Sequence, residues 1–374
     1  MPPARLQLRV PGKLMIAGEY AVLEPHQPAV VVAVDRYMTA TIALAPDNRL
    51  SLPGLGLTDL SWFSDPDGVT IKHDDPRLRF VKEALTVALG HVRDQFLLPL
   101  PIHLTLESEL DDDATGRKLG LGSSAAVVVA VVAAVLYMLH DDDEEAPPAE
   151  LIFKLSAIAH LRAQGSGSGA DVAASVYGGW IRYSSFNAEW LQDRLNRQEP
   201  LYRLVTERWP FFSVRPIAPD DAGLCLCVGW TGQPASTPQL LTRVRALRDR
   251  DPLAYGDFLA ESHRAVDGLV SGLETGHRAE VIEAIALNRS TLADLGSNAG
   301  VAIETDALFE LNRWAELCGG AAKPSGAGGG DCGVALIFGE DRAKSLEAAW
   351  KRVDLEPLRL QVSPTGVEVV ETEW

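Results

Sequence analysis

The most restrictive feature of this chain is an uncharged run, Ala125–Leu139, reading AAVVVAVVAAVLYML. It has no charged face to turn toward water, and it is shorter than the ~20 apolar residues a membrane span needs. A helix of this kind belongs inside a folded domain. With 374 residues, 47% hydrophobic and 23% charged, the chain has ample material for such a core. The length predicts two domains. A glycine and serine turn, Gly120-Leu-Gly-Ser-Ser124, stands directly before the run, so the buried helix starts from a loop.

Around this helix the pattern alternates between strand and helix. Leu6–Val10 alternates and reads as a strand ended by Pro11-Gly12; Ala29–Val34, Met38–Leu44 and Pro101–Glu107 read as further strands. Helical spacing covers Pro76–Leu89, Leu151–Gln164 and Ala170–Tyr177, and the acidic stretch Asp141–Pro148 reads as a solvated connection. The stretch Asn187–Pro210 is irregular, and the domain junction is placed there, giving domains 1–200 and 201–374. A second half restarts with strand Leu224–Trp230 and a helix with Thr237 as N-cap and Pro238 at the first position. Helices then fill Asp251–Leu317. Gly333–Phe338 is a strand, Arg342–Val353 a helix and Leu358–Val362 a last strand. Strands with mixed helices in both halves predict an α+β protein.

Charge and cysteines narrow the partners. Lys and Arg total 34 against 51 Asp and Glu, a formal net charge of −17, and no basic block is segregated, so nucleic acid and anionic membrane are excluded as main partners. Four cysteines form neither a disulfide framework nor a zinc motif. Cys225 and Cys227 would face one side of a strand. The first ten residues lack the apolar core of a signal peptide. A soluble, cytoplasmic protein is expected.

Three glycine-rich segments and one lysine carry the chemistry. Gly120-Leu-Gly-Ser-Ser-Ala-Ala126 lets backbone approach a ligand, and the following helix turns free N–H groups and its positive end toward an anion. Ser123 and Ser124 offer hydroxyls to a phosphate or its metal, with Arg117 and Lys118 just before; a tight turn packing a buried helix is the plainer alternative. The spacing fits neither a Walker A loop nor a Rossmann fingerprint. Lys323-Pro-Ser-Gly-Ala-Gly-Gly-Gly-Asp331 leaves backbone free between two elements, as a ligand loop or a surface loop. Gln164-Gly-Ser-Gly-Ser-Gly-Ala-Asp171 ends in a carboxylate at a helix start, where it serves chemistry or merely offsets the dipole. Lys13, in Pro11-Gly-Lys-Leu-Met-Ile-Ala-Gly-Glu-Tyr20, sits in an apolar stretch. It must either reach solvent or meet an anion.

Taken in order, the Lys13 segment, the Gly120 loop and the Lys323 segment resemble the three motifs of the GHMP kinase superfamily over nearly the whole chain. Within it the chain is most similar to bacterial phosphomevalonate kinases. That choice rests on Lys118–Ala126, Ala159–Ser175 with Tyr177-Gly-Gly-Trp180, Gly229–Thr237 and the Gly-Gly-Gly-Asp-Cys332 ending. Mevalonate kinases carry Asn-Pro-Ser-Gly before the acid and a magnesium-binding Glu eleven residues earlier; here that position is His160, so one metal ligand is unassigned. Diphosphomevalonate decarboxylases lack the equivalent of Lys13.

The resemblance implies a first domain like ribosomal protein S5 domain 2, a ferredoxin-like second domain, and ATP with Mg2+ in the cleft between them. It implies ATP-dependent phosphorylation of 5-phosphomevalonate to 5-diphosphomevalonate in isoprenoid biosynthesis. Lys13 would bridge the two phosphates, Asp171 would orient Lys13 or the nucleophile, and Ser124 would bind the metal. Lys118, Gly120, Leu121, Gly122, Ser123, Ser124 and Ala125 would hold ATP. The substrate would meet Lys13, Tyr20, Ser166, Ser168 and Gly169, with Ser325, Gly326, Ala327 and Gly328 closing over it. Another small-molecule kinase, mevalonate kinase included, or a non-catalytic sensor on the same fold are the alternatives; the presence of both Lys13 and Asp171 argues against the sensor.

Overall fold

The computed structural model describes residues 3–95, 99–111, 117–139, 146–220, 223–233 and 237–373. Its strands are β1 (Arg5–Ala17), β2 (Pro28–Leu44), β3 (Arg49–Leu52), β4 (Leu57–Asp65), β5 (Gly68–Ile71), β6 (Ile102–Ser108), β7 (Trp180–Ser184) and β8 (Ser213–Ile217), then β9 (Leu224–Trp230), β10 (Ala321–Pro324), β11 (Cys332–Phe338), β12 (Glu356–Leu358) and β13 (Glu368–Glu373). Its helices are α1 (Arg79–Asp94), α2 (Ser123–Met138), α3 (Ala149–Gln164), α4 (Ala170–Tyr177), α5 (Ala188–Asn196) and α6 (Leu201–Thr206), then α7 (Thr237–Arg250), α8 (Pro252–Thr275), α9 (Arg278–Ala299), α10 (Asp306–Leu317) and α11 (Glu340–Lys351).

The uncharged run is helix α2, and it lies where its composition requires. From Ala125 to Met138 only Val127 and Tyr137 are not fully buried, because α2 is wedged between β1 and β2 on one side and α1 and α3 on the other. The sheet beneath runs β13-β1-β2-β6-β3-β4-β5, with β7 and β8 branching from the first half of β2. In β6 the expected alternation holds, with Ile102, Leu104 and Leu106 buried. The second layer is an antiparallel sheet in the order β10-β11-β9-β12, covered by α9, α10 and α11. Cys225 and Cys227 both pack against the core on that helical side. Helix α8 pairs with α9 and reaches back to β1, β2 and β8, tying the layers together. Among the described residues no helix is long and apolar enough to cross a membrane.

Several boundaries differ from the expected ones for identifiable reasons. Strand β1 does not stop at Pro11-Gly12. Strand β13 pairs only with Arg5–Arg9, so Pro11 lies beyond that ladder, and a register shift against β2 absorbs it. The two strands expected between Ala29 and Leu44 are one. At the bend, Asp35 exchanges two bonds with Gln361, its N–H donating to the Gln361 carbonyl (3.0 Å) and its Oδ1 accepting from the Gln361 N–H (2.7 Å).

The irregular stretch around 187–210 folds into α5 and α6. Asn187 caps α5 by accepting from the Trp190 N–H at 2.9 Å, and Trp209 is buried in an aromatic cluster with Phe153, Phe186 and Phe212. Lys154, buried, donates from Nζ to the carbonyls of Val205 (2.9 Å) and Glu207 (2.8 Å), which closes the end of α6. The first sheet therefore continues past residue 200 through β8, and it takes back β13 from the far end of the chain. The last strand is β13 and not Leu358–Val362, since β12 stops at Leu358. Residues 141–145 of the expected acidic connection, residues 234–236 of the Gly229–Thr237 segment, and the Thr237 side chain lie outside the described residues.

Candidate active site

Lys13 and the glycine loop are built as one unit. The Lys13 N–H donates to the Leu121 carbonyl (2.9 Å), so β1 runs directly under the loop. Gly120 and Gly122 hold φ of 77° and 80°, and a Cβ on Gly122 would stand 2.9 Å from Lys13 Cγ. Only glycine lets the lysine stem pass there. Lys13 Nζ then reaches the Gly120 carbonyl at 3.4 Å. Gly122 is the residue before α2, so the unpaired first-turn N–H groups of a buried helix open beside this ammonium. Leu121 and Ala125 are buried and anchor the loop, while Ser123 and Ser124 are half-buried and Lys118 is exposed.

Asp171 arrives on the other wall. It lies in the first turn of α4, and its Oδ1 accepts from the Val172 N–H at 3.0 Å. One turn on, buried Ser175 donates from Oγ to the Pro11 carbonyl at 2.9 Å. The Ser175–Pro11 bond ties α4, which carries Asp171, to β1, which carries Lys13. The two side chains do not pair with each other: Lys13 is drawn to Gly120, and the Asp171 carboxylate turns to His160, whose Nε2 is 3.8 Å from Oδ2.

His160 is the residue that its sequence position left without a role. It is buried, stacks on Phe80 with ring centroids 5.4 Å apart, and shares a hydrogen bond with Ser124 Oγ at 3.3 Å. It joins Ser124 and Asp171 into one cluster. Ser168 and Gly169 stand just before it. Ser168 Oγ accepts from the Ala170 N–H (3.3 Å), and its carbonyl accepts from Tyr183 Oη (2.5 Å) and Ser185 Oγ (2.8 Å). Gly169 is buried at φ 74°, with no room for a Cβ beside Phe186 and Tyr183, and presents backbone only. Ser166 and Ser168 open onto a cavity of ≈ 270 Å³ that α7 closes from the second layer.

The third segment is more firmly held than a closing lid. Ser325 Oγ accepts from the Met15 N–H (3.2 Å) and donates to the Met15 carbonyl (3.0 Å), so its hydroxyl is already engaged. Tyr20 Oη donates to the Ala327 carbonyl (2.5 Å), and burial raises this phenol above its ordinary range. Gly328, at φ 70°, lies against the Ile303 carbonyl, and Gly326 is open. Beneath them Lys323 and Glu19 form an ion pair with both side chains fully buried, and Lys323 Nζ also donates to the Pro324 carbonyl (2.6 Å). Burial pushes the Lys323 ammonium down in pKa and Glu19 opposes that.

This pair escaped sequence reading because Lys323 and Glu19 are 304 positions apart. Asp331 also ends at the site, at φ 50°, with its Cβ 3.0 Å from where a Cβ on Gly120 would be. Next to it Cys332 donates from Sγ to the Leu119 carbonyl (3.0 Å), and burial pushes its thiol far up.

Among the described residues, no three His, Cys, Asp or Glu side chains gather as a metal cage. A magnesium ion held largely by nucleotide oxygens and water needs only one or two protein oxygens. Ser124 Oγ and the Asp171 carboxylate, both near His160, are of that kind.

The chain matches the GHMP kinases N-terminal domain over residues 79–179 and the GHMP kinases C-terminal domain over residues 269–354. It is 36% identical to a phosphomevalonate kinase from a Streptomyces species, covering 96% of this chain and 97% of the relative. Its fold is similar to a protein from Listeria innocua, with TM-score 0.91 and 35% identity over 98% of this chain and 99% of the other. It is also similar to phosphomevalonate kinase of Streptococcus pneumoniae in complex with phosphomevalonate and AMPPNP, with TM-score 0.82 and 28% identity over 95% of this chain and 99% of the other. With three ordered glycine segments brought to one cleft and these matches across nearly its whole length, the chain belongs to the GHMP kinase family.

Proposed function

We propose that the chain is a phosphomevalonate kinase, moving the γ-phosphoryl of ATP onto the phosphate of 5-phosphomevalonate to give 5-diphosphomevalonate and ADP. The observation that carries this reading is the convergence of Lys13, the Gly120–Ser124 loop and Asp171 around one opening, fixed by the Ser175–Pro11 bond. The substrate is read from the Streptomyces and pneumococcal relatives.

The nucleophile is a phosphate oxygen, and a phosphate monoester has its second pKa near ~6, so it needs little deprotonation near neutral pH. The barrier is to bring anions together, and positive charge and positioning address it. Lys13 bridges the attacking phosphate and the transferring group. The first-turn amides of α2, with Lys118, hold the ATP phosphates. Asp171 positions the acceptor side and takes a residual proton, and His160 orients Ser124. Magnesium, when bound at Ser124, would supply charge neutralisation. All four cysteines are free thiols, which supports a reducing, cytoplasmic setting.

The test is a comparison of acceptors with purified protein and ATP. kcat/KM for 5-phosphomevalonate should exceed that for mevalonate by far, because cations placed for a dianion are left unpaired by a neutral alcohol. A preference for mevalonate overturns the reading.

A further inference from the structure

The crossing from the second layer back to the first passes against the end of the helix that carries Asp171. It runs through residues 361–366, after β12 and before β13. It first meets the bend of β2, where Gln361 exchanges its two bonds with Asp35. Buried Ser363 then enters a closed ring of backbone bonds. Its N–H donates to the Ala33 carbonyl (3.0 Å), the Ala33 N–H to the Gly179 carbonyl (3.0 Å), and the Gly179 N–H to the Ser363 carbonyl (2.7 Å). Gly179 comes just after α4, and Ala33 stands opposite Lys13 in the β1–β2 ladder. The crossing is therefore bonded both to the strand pair that holds Lys13 and to the end of the helix that holds Asp171.

The fit to α4 is tighter than hydrogen bonding alone requires. A Cβ on Gly366 would lie 2.0 Å from the Val176 carbonyl oxygen in the last turn of α4, and a Cβ on Gly178 would lie 2.2 Å from the Thr365 carbonyl carbon. Ordinary contact is at roughly 3.5 Å, so the two backbones touch with no side chain between them. Ser363 Oγ keeps the crossing in shape, donating to the Thr365 carbonyl (2.9 Å) and accepting from Tyr37 Oη (3.2 Å). Helix α4 has only 8 residues, and Asp171 stands in its first turn. That is about 7.5 Å along the axis from Val176. In a close-packed interior a helix this short carries a displacement of its last turn through to its first.

We propose that residues 361–366 are a positioning strap for phosphoryl transfer. Gly366 is the residue that seats α4 and, through it, places the Asp171 carboxylate relative to Lys13. The proposal rests on the reading of Lys13 and Asp171 as the transfer site. The effect is geometric: a misplacement of about 1 Å at a reacting centre costs on the order of 100-fold in rate. The strap comes from the second layer, so the half of the chain that contributes the Lys323 segment also fixes the helix of the acid.

The experiment uses the full chain with ATP and 5-phosphomevalonate, and compares Gly366→Ala, Asp171→Asn and the protein carrying both. Gly366→Ala drives one methyl group between the strap and the Val176 carbonyl. In the folded variant kcat should fall at least ~10-fold. ATP affinity, measured by nucleotide titration, should stay within about twofold of wild type, because the phosphate loop belongs to α2. In the Asp171→Asn protein the same methyl should cost less than about twofold in kcat, since the carboxylate it displaces is already gone. A role in stability alone would not produce that dependence on Asp171. Ser363→Ala, which removes only the Oγ bonds, is the second variant in case Gly366→Ala fails to fold. It should lower kcat about threefold, again only where Asp171 is present. An unchanged kcat in the folded strap variant overturns the proposal, and so do losses that multiply across the two sites. An unchanged kcat in Asp171→Asn alone overturns the transfer-site reading instead, and it does so without any change in the strap, so the two failures are distinct.

Discussion

Replacing Lys323 by Met tests how the Lys13 and Lys323 segments are locked together. The Lys323 and Glu19 side chains are 0% and 1% exposed, and Glu19 Oε2 already has no hydrogen-bond partner. Removing the ammonium leaves a buried carboxylate with nothing to oppose its charge. Breaking a buried pair by deleting one partner costs about 3–5 kcal/mol, against a total stability of about 5–15 kcal/mol for a typical domain. That is roughly a hundredfold to several thousandfold in the folding equilibrium. Lys323→Met should show it in urea titrations followed by circular dichroism and tryptophan fluorescence. Adding Glu19→Gln to the same protein should recover most of the loss, because the stranded charge is gone. The positive coupling between the two changes is the signature of a direct pair. A Lys323→Met protein within about 1 kcal/mol of wild type refutes the reasoning, as does a double variant no more stable than the single one.

Three further outcomes are expected. Lys13→Met should lower kcat at least ~100-fold with ATP affinity little changed, measured by steady-state kinetics and nucleotide titration. Asp171→Asn should fold normally, bind ATP and lose most turnover from about pH 6 to 9, whereas full activity with a lowered melting temperature would assign Asp171 to helix-end stabilisation alone. His91 is buried with neither ring nitrogen hydrogen-bonded, and burial holds its pKa below the ordinary 6.5 against the pull of Asp94. The unfolded chain therefore binds the proton first, so stability is full above about pH 6.5 and falls as pH drops toward the lower folded value. His91→Leu should lose less stability than wild type between about pH 7.5 and 5.5 in urea titrations.

The parts of this fold legible in the sequence are those with local causes. The α2 run, the β6 alternation and the glycine turns before α2 and α4 each follow from residues within one element. What stayed hidden depends on distant partners. Pro11 looks like a strand end until β13 is seen to stop short of it. The stretch holding α5 and α6 looks irregular until Trp209 meets Phe153 and Lys154 meets the carbonyls of Val205 and Glu207. Ser325 has the look of a free loop hydroxyl, yet Met15, 310 positions earlier, occupies it. At the site, segment order brought Lys13, the glycine loop and Asp171 into view. The turn of Asp171 toward His160 needed coordinates.

The pairing of β13 with β1 bears on how the protein is made. Strand β1 leaves the ribosome before the other strands of its sheet, and its partner at 368–373 comes out after them all. At about 5–20 residues per second, the outer edge of β1 waits tens of seconds uncovered. An open strand edge invites pairing with another chain. Arg5 and Arg9, which end in ion pairs with Glu371, Glu373 and Glu368, are the charges that stand on that edge in the interval. They keep neighbouring nascent chains apart until their own acidic strand arrives to take the place.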